Sequence, residues 1–201
     1  MAVLASGRGS NFRALAERSQ DPTFSADVVC LITDDRSAPV VAIAEAFGIP
    51  WHAVQAGERR GRLQPGAEAE IVRTCEAAGA GLVVLAGFMR ILDGDLLVRY
   101  AGRIINIHPS LLPSFKGLNA PKQALEYGAR IAGCTVHFVD ASVDGGPIIL
   151  QAPVQVRDDD DVESLRSRIQ VEEHRVVARA VDLFATGRLR IEGPRVFGAD
   201  D

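Results

Sequence analysis

The chain is short of cysteine, of positive charge and of long apolar runs, and each shortage removes a class of protein. Three cysteines in 201 residues, Cys30, Cys75 and Cys134, lie far apart in apolar surroundings (VVCLI, RTCEA, AGCTV). That spacing excludes a secreted disulfide scaffold and offers no C-x-x-C, and it suits reduced, buried thiols. Lys and Arg total 22 against 26 Asp and Glu, for a formal net charge of −4 and a pI of about 5.6. An acidic chain has no global attraction for a nucleic-acid backbone, so no nucleic-acid partner is expected. No run of about 18 apolar residues is present, which excludes a membrane-spanning helix. The start, MAVLASGRGS, lacks a signal-peptide layout, so the expected location is cytoplasmic and no membrane partner is expected. There is no internal repeat and no low-complexity linker. What remains is 47% hydrophobic and 24% charged, the make-up of a soluble globular domain with a sizeable core. The length fits a single domain, 1–201.

Short β-rich runs alternate with longer stretches of helical period, the rhythm of βαβ units around a mostly parallel sheet with helices on both faces. Strands are expected over Ala2–Ala5, Asp27–Thr33, Trp51–Val54, Leu82–Ala86 and Ile104–His108, and helices over Asn11–Arg18, Pro39–Phe47, Glu68–Ala78 and Asp93–Tyr100. Leu82–Ala86 (LVVLA) is apolar throughout, as a central strand covered on both faces should be. A long loop, HPSLLPSFKGLNAP, precedes a helix near Lys122–Tyr127. The pattern then changes. Ile131–Val139 and Ile148–Val156 are joined by DASVDGGP, too short for a crossover helix, so these strands should pair antiparallel. A last helix, Val162–Ala185, follows the acidic run Asp158–Asp161, read as a solvated, capping turn. The tail from Leu189 is either an edge hairpin or a loose end.

Three places could carry chemistry. The first strand runs into Ser6-Gly7-Arg8-Gly9-Ser10-Asn11 and then a helix, where backbone amides can face an anion. Phe12 stands where the third glycine of G-x-G-x-x-G would be, so a dinucleotide site is poorly supported; a phosphate site and an ordinary turn both stay open. Asn106 and His108, two apart in IINIHPS, project to one face at the carboxyl end of a strand, where α/β sheets bind ligands. An amide beside an imidazole can stabilise the oxyanion formed when a carbonyl is attacked, although both residues are also ordinary structural ones. Asp144, in VDGGP, is a normal turn former; beside His108 it would orient the ring and favour its protonated form. Ser110 lies in no G-x-S-x-G elbow, so direct acyl transfer between two bound substrates is the simpler chemistry. His52, His108, His137 and His174 have no metal-ligand spacing. His137 reads as a hydrogen-bonded strand residue and His174 as lying on a solvated helix face.

ASGRGSN near the start, AGFMRIL at Ala86–Leu92, NIHPSLLPSFKG at Asn106–Gly117, GCTVHFVDASVDGGPIILQ at Gly133–Gln151 and EEH at Glu172–His174 stand in one order along the chain. Together they resemble the phosphoribosylglycinamide formyltransferase family over almost the whole length. The resemblance implies an α/β, Rossmann-like formyltransferase fold with 1–100 as phosphate-binding half and 101–201 as catalytic and folate-binding half. It implies 10-formyltetrahydrofolate as co-substrate, no metal, and glycinamide ribonucleotide as acceptor, in a monomer or homodimer. Matched position by position, it places Gly9, Ser10 and Asn11 at the acceptor's phosphate and Glu173 at its ribose. It places Met89, Arg90, Ile91 and Leu92 in the wall of the folate pocket, to which Val139, Asp140 and Val143 should add backbone contacts. By the same match, Asn106, His108 and Asp144 are expected to form the catalytic trio.

Three stretches depart from the family pattern. Ala56–Gly66 (AGERRGRLQPG) lacks the usual Ser-Arg-Glu-aromatic-Asp, which leaves the folate-contacting arginine, assigned to Arg62, open among Arg59, Arg60 and Arg62. Pro121 stands where many members have histidine, and Asn119 where members have histidine or asparagine. Alternative readings are a 10-formyltetrahydrofolate hydrolase or a methionyl-tRNA formyltransferase. Each of these is expected to carry an extra domain for which this sequence shows no segment. A non-catalytic phosphate- or nucleotide-binding module would need only the glycine loop and not the trio.

Overall fold

The computed structural model describes every residue except 56, 58–60, 62, 65, 93 and 201. It divides into two compact units, Met1–Asn106 and Ile107–Asp201. The first unit alternates strand and helix: β1 Ala2–Leu4, α1 Ser10–Arg18, β2 Cys30–Thr33, α2 Pro39–Ala46, β3 Trp51–Ala53, α3 Ala67–Ala77, β4 Val83–Leu85, α4 Asp95–Arg99 and then β5 Ile104–His108. Its strands lie in the order β3-β2-β1-β4-β5. All four pairings are parallel, with Ala2 opposite both Cys30 and Val83, and Leu85 opposite Asn106. Every residue of β1, β2 and β4 is buried, as helix-covered parallel strands require.

Element ends shift by a residue or two from the sequence reading, and the largest change is β2, which starts at Cys30 rather than Asp27. There the chain is drawn aside to end-pairing: the Met1 ammonium donates to the Asp27 carbonyl at 2.5 Å, and the Val29 amide to Met1. Phe12, at the position of a dinucleotide fingerprint's last glycine, is fully buried with Leu15 on α1. This helix therefore packs through a ring, not through the close backbone approach a glycine would allow.

The second unit holds α5 Ala120–Tyr127, β6 Ile131–Phe138, β7 Ile148–Gln155, α6 Val162–Ala185, β8 Arg190–Glu192 and β9 Arg195–Phe197. β6 and β7 pair antiparallel from Ile131 opposite Gln155 to His137 opposite Ile148, with an irregularity between Val136 and His137. The tail is a hairpin, β8 with β9, and β9 lies parallel to β7. α6 buries Leu165, Ile169, Val177 and Val181, one stripe at helical spacing. Its start is a capping box: Asp161 accepts from the Ser164 amide at 2.8 Å while the Ser164 hydroxyl accepts from the Asp161 amide at 3.0 Å. Among the described residues, no helix is long and apolar enough to cross a membrane.

The Arg168 guanidinium bonds the Asp160 carboxylate and, with hydrogen bonds from Arg157 and Ser164, holds its pKa down at about 2 against an ordinary 3.8. A carboxyl depressed in the folded state contributes stability above its unfolded pKa and loses it as pH falls through the folded one. Asp160→Asn should therefore lower stability by about 1 kcal/mol or less near neutral pH, a difference that fades between pH 3.8 and about 2. Urea melts of both proteins across that range check it.

Candidate functional site

In the first unit, the turn after β1 is shaped by Gly9, the residue before α1, at φ 76. A Cβ there would lie 2.6 Å from Val40 Cγ2 and 3.0 Å from the Val40 backbone, so both conformation and space demand glycine. The α1 ladder begins with the Arg13 amide on the Gly9 carbonyl at 2.8 Å. The amides of Ser10, Asn11 and Phe12 precede that first bond and are positioned as anion donors at a helix N-terminus.

The segment after β4 shows Met89 and Ile91 at the surface, 61% and 46% exposed, whereas Leu92 is buried. Arg90 does not reach freely outward: its Nε donates to Asp34 Oδ2 at 2.5 Å, and the Asp34 side chain is 5% exposed. The Ile91 amide donates to the Gly61 carbonyl at 2.8 Å, tying this wall to the arginine-bearing stretch. Arg62 and its rivals Arg59 and Arg60 lie outside the described residues.

In the second unit, His108 ends β5 and is 5% exposed. Its Nδ1 faces Asp144 Oδ2 at 3.5 Å, and its Nε2 lies 3.0 Å from the Phe115 carbonyl. A carbonyl can only accept, so Nε2 carries a proton and donates. A second proton on the ring then sits at Nδ1, against the carboxylate. Asp144 also faces His137, Oδ1 to Nε2 at 3.9 Å, while His137 Nδ1–H donates to the Phe138 carbonyl at 2.8 Å. Burial pushes the His137 imidazole below its usual pKa, with the Phe138 bond, Asp144 and Asp140 opposing. One carboxylate therefore stands between two imidazoles, each fixed in tautomer by a backbone carbonyl.

Local backbone geometry sets these atoms. Asp144 is at φ 47, a left-handed conformation Asp tolerates, and the Gly117 amide donates to its Oδ2 at 2.8 Å. The turn can be this tight because a Cβ on Gly146 would lie 2.0 Å from the Phe138 carbonyl oxygen. Phe115 is also left-handed, at φ 53, an outlier for a bulky residue; its ring packs edge-on to Tyr127 at 5.8 Å while its carbonyl meets His108. Val139, Asp140 and Val143 occupy the loop from β6 to Asp144. The Asp140 carboxylate caps that turn, its Oδ1 accepting from the Ser142 amide at 2.8 Å and from the Ser142 hydroxyl.

Asn106 is half-buried two residues before His108 on the same strand, and period-two alternation puts both on one face. Glu173 is buried on α6. His174 is corrected from a solvated residue to a half-buried one, because its Nε2 is withdrawn from solvent. The departures near α5 are accommodated. Asn119 adopts φ 58 as the residue before the helix, and Pro121 sits in the first turn, where its missing N–H is not needed. Burial raises the thiols of Cys75 and Cys134 to about 12, which makes both poor nucleophiles. Among the described residues, no group of three or more His, Cys, Asp or Glu is placed to hold a metal ion. The sequence reading missed the facing of His137 toward Asp144; the signal available was Thr135 and His137, two polar residues on one face of an otherwise apolar strand.

The formyl transferase family model matches residues 1–181. The chain is 40% identical to the phosphoribosylglycinamide formyltransferase of Bacillus subtilis over 174 residues, 87% of this chain and 88% of that protein. It is 41% identical over 191 residues to the trifunctional purine biosynthetic protein adenosine-3 of Gallus gallus, covering 95% of this chain but spanning only 19% of that longer protein's length. The crystal structure of glycinamide ribonucleotide transformylase 1 from Symbiobacterium toebii superposes with a TM-score of 0.94 at 44% identity, covering 99% of this chain and 93% of that one.

Proposed function

The chain belongs to the formyl transferase family, and from that premise we propose that it moves the formyl group of 10-formyltetrahydrofolate to the amine of glycinamide ribonucleotide, a step of purine synthesis. The observation that carries the reading is the His108–Asp144 pair at 3.5 Å, its tautomer set by the Phe115 carbonyl. That arrangement sets a buried imidazole with its Nδ1 against a carboxylate, so a proton taken up there during the reaction has a counter-charge beside it while a developing oxyanion is stabilised.

In this reading the acceptor amine attacks the formyl carbon, a C–N bond forms, and the carbonyl electrons move onto oxygen. Asn106 donates to that oxyanion and protonated His108 stabilises it. The attacking nitrogen gives up a proton, through water and Asp144, and the folate N10 gains one as its bond to carbon breaks. Tetrahydrofolate and the N-formyl product leave. Gly9, Ser10 and Asn11 hold the acceptor's phosphate on the α1 amides, and Glu173 takes its ribose. Met89, Ile91 and the backbones of Arg90, Leu92, Val139, Asp140 and Val143 wall the folate, with Arg62 as the assigned arginine. The chemistry requires no metal. The reading places the enzyme in the cytoplasm, where three free buried thiols stay reduced, as a monomer or homodimer.

Mass spectrometry of the acceptor after incubation with both substrates tests the reading: a formyl group on the acceptor amine is expected, and free formate with unmodified acceptor would contradict it. Gly9→Ala must displace either α1 or Val40, so it should raise the KM for the acceptor by about tenfold or more and leave the folate KM unchanged. Steady-state kinetics with each substrate varied in turn checks the split.

A further inference from the structure

The loop that delivers the Phe115 carbonyl to His108 is tied to the β6–β7 pair by a closed set of side-chain bonds. The Thr135 hydroxyl donates to the Ser110 carbonyl at 2.7 Å and accepts from the Leu112 amide at 3.0 Å. Gln151, opposite Thr135 on β7, places its Nε2 2.9 Å from both the Leu112 carbonyl and the Thr135 oxygen. The amide nitrogen thereby uses both of its protons, and the hydroxyl uses its proton and both lone pairs. Within the loop, the Ser110 hydroxyl donates to the Ser114 carbonyl at 2.5 Å and the Ser114 amide to Leu111 at 3.1 Å. From Leu112 the constraint runs through this short, internally bonded stretch to Phe115, whose left-handed backbone persists only while its surroundings hold it.

We infer that Gln151 is a positioning residue for the reaction: it clamps the Leu112 carbonyl and the Thr135 hydroxyl, and so fixes the Phe115 carbonyl that sets the tautomer of His108. It touches no reacting atom. Removing its two donors leaves the Leu112 carbonyl and one Thr135 lone pair without partners, and strain at Phe115 is relieved by letting its carbonyl move away. The His108 ring then loses the acceptor that keeps the proton on Nε2.

The inference rests on the role given to His108, so its test reads the ring apart from the reaction. Gln151→Leu keeps the size of the side chain and removes both donors. Expected are a kcat lower by about tenfold, acceptor and folate KM values within about twofold of the parent, and a His108 15N spectrum that changes from the Nε2–H tautomer to a mixture. Gln151→Glu, which removes the same donors at neutral pH, takes its place if the leucine variant does not fold. A folded variant with kcat within twofold of the parent would overturn the inference. So would a lowered kcat with the 15N pattern of His108 unchanged, which would mark a purely structural role. A parent protein without formyl transfer would instead overturn the proposed function, while the spectrum would still decide whether Gln151 governs the ring.

Discussion

His108→Ala is expected to lower turnover by at least about a hundredfold while leaving the protein folded, in line with losses of a general acid–base or oxyanion-stabilising group. The expectation of a retained fold comes from position. His108 is the last residue of β5, and its ring bonds the loop through one contact, the Phe115 carbonyl at 3.0 Å. The strand behind it, Ile104, Ile105 and Ile107, supplies the buried apolar anchor and is untouched. Stability should fall by about 1–3 kcal/mol, the cost of one unsatisfied buried carbonyl with a small void. Circular dichroism and kcat on the purified variant check the two statements separately. Near-parental turnover in the folded variant would remove His108 from the mechanism.

Asp144→Asn should reduce kcat by a comparable factor through a different route. Asparagine tolerates the left-handed backbone at φ 47, and its carbonyl oxygen can still accept the Gly117 amide now bonded at 2.8 Å, so the turn survives. What disappears is the negative charge facing both imidazoles. A proton on His108 Nδ1 loses its counter-charge, and His137 loses one of the three influences that oppose its burial, leaving the Phe138 bond and Asp140. The loss should therefore lie in kcat, with both KM values within about threefold of the parent, because no binding contact is assigned to this carboxylate. A variant that raises KM for either substrate and spares kcat would make Asp144 a binding group instead.

How far the sequence could be read differs from place to place. β5 and α6 are found over the residues expected because each has an unambiguous end: Pro109 stops the strand, and Asp161 with Ser164 caps the helix. The antiparallel pairing of β6 and β7 followed from a connection too short for a crossover. Asn106 and His108 were legible as a pair because strand period puts them on one face. The nearness of Asp144 was legible only as a condition, since sequence gives no distance between a strand end and a distant turn. The Phe115 carbonyl was not legible at all, because a main-chain acceptor has no residue-type signature and phenylalanine is an improbable left-handed residue. Arg90 shows a further limit. Its partner Asp34 lies on another strand's end, and a buried ion pair of that kind depends on sheet order rather than on local spacing.

Tetrahydrofolate release from 10-formyltetrahydrofolate, followed with and without glycinamide ribonucleotide, separates formyl transfer from hydrolysis and from simple binding. Release should depend on the acceptor, saturate with it, and fall by at least about a hundredfold in His108→Ala. Release at the same rate without acceptor would make the protein a hydrolase and contradict the proposed transfer, and no release with either would leave a binding protein.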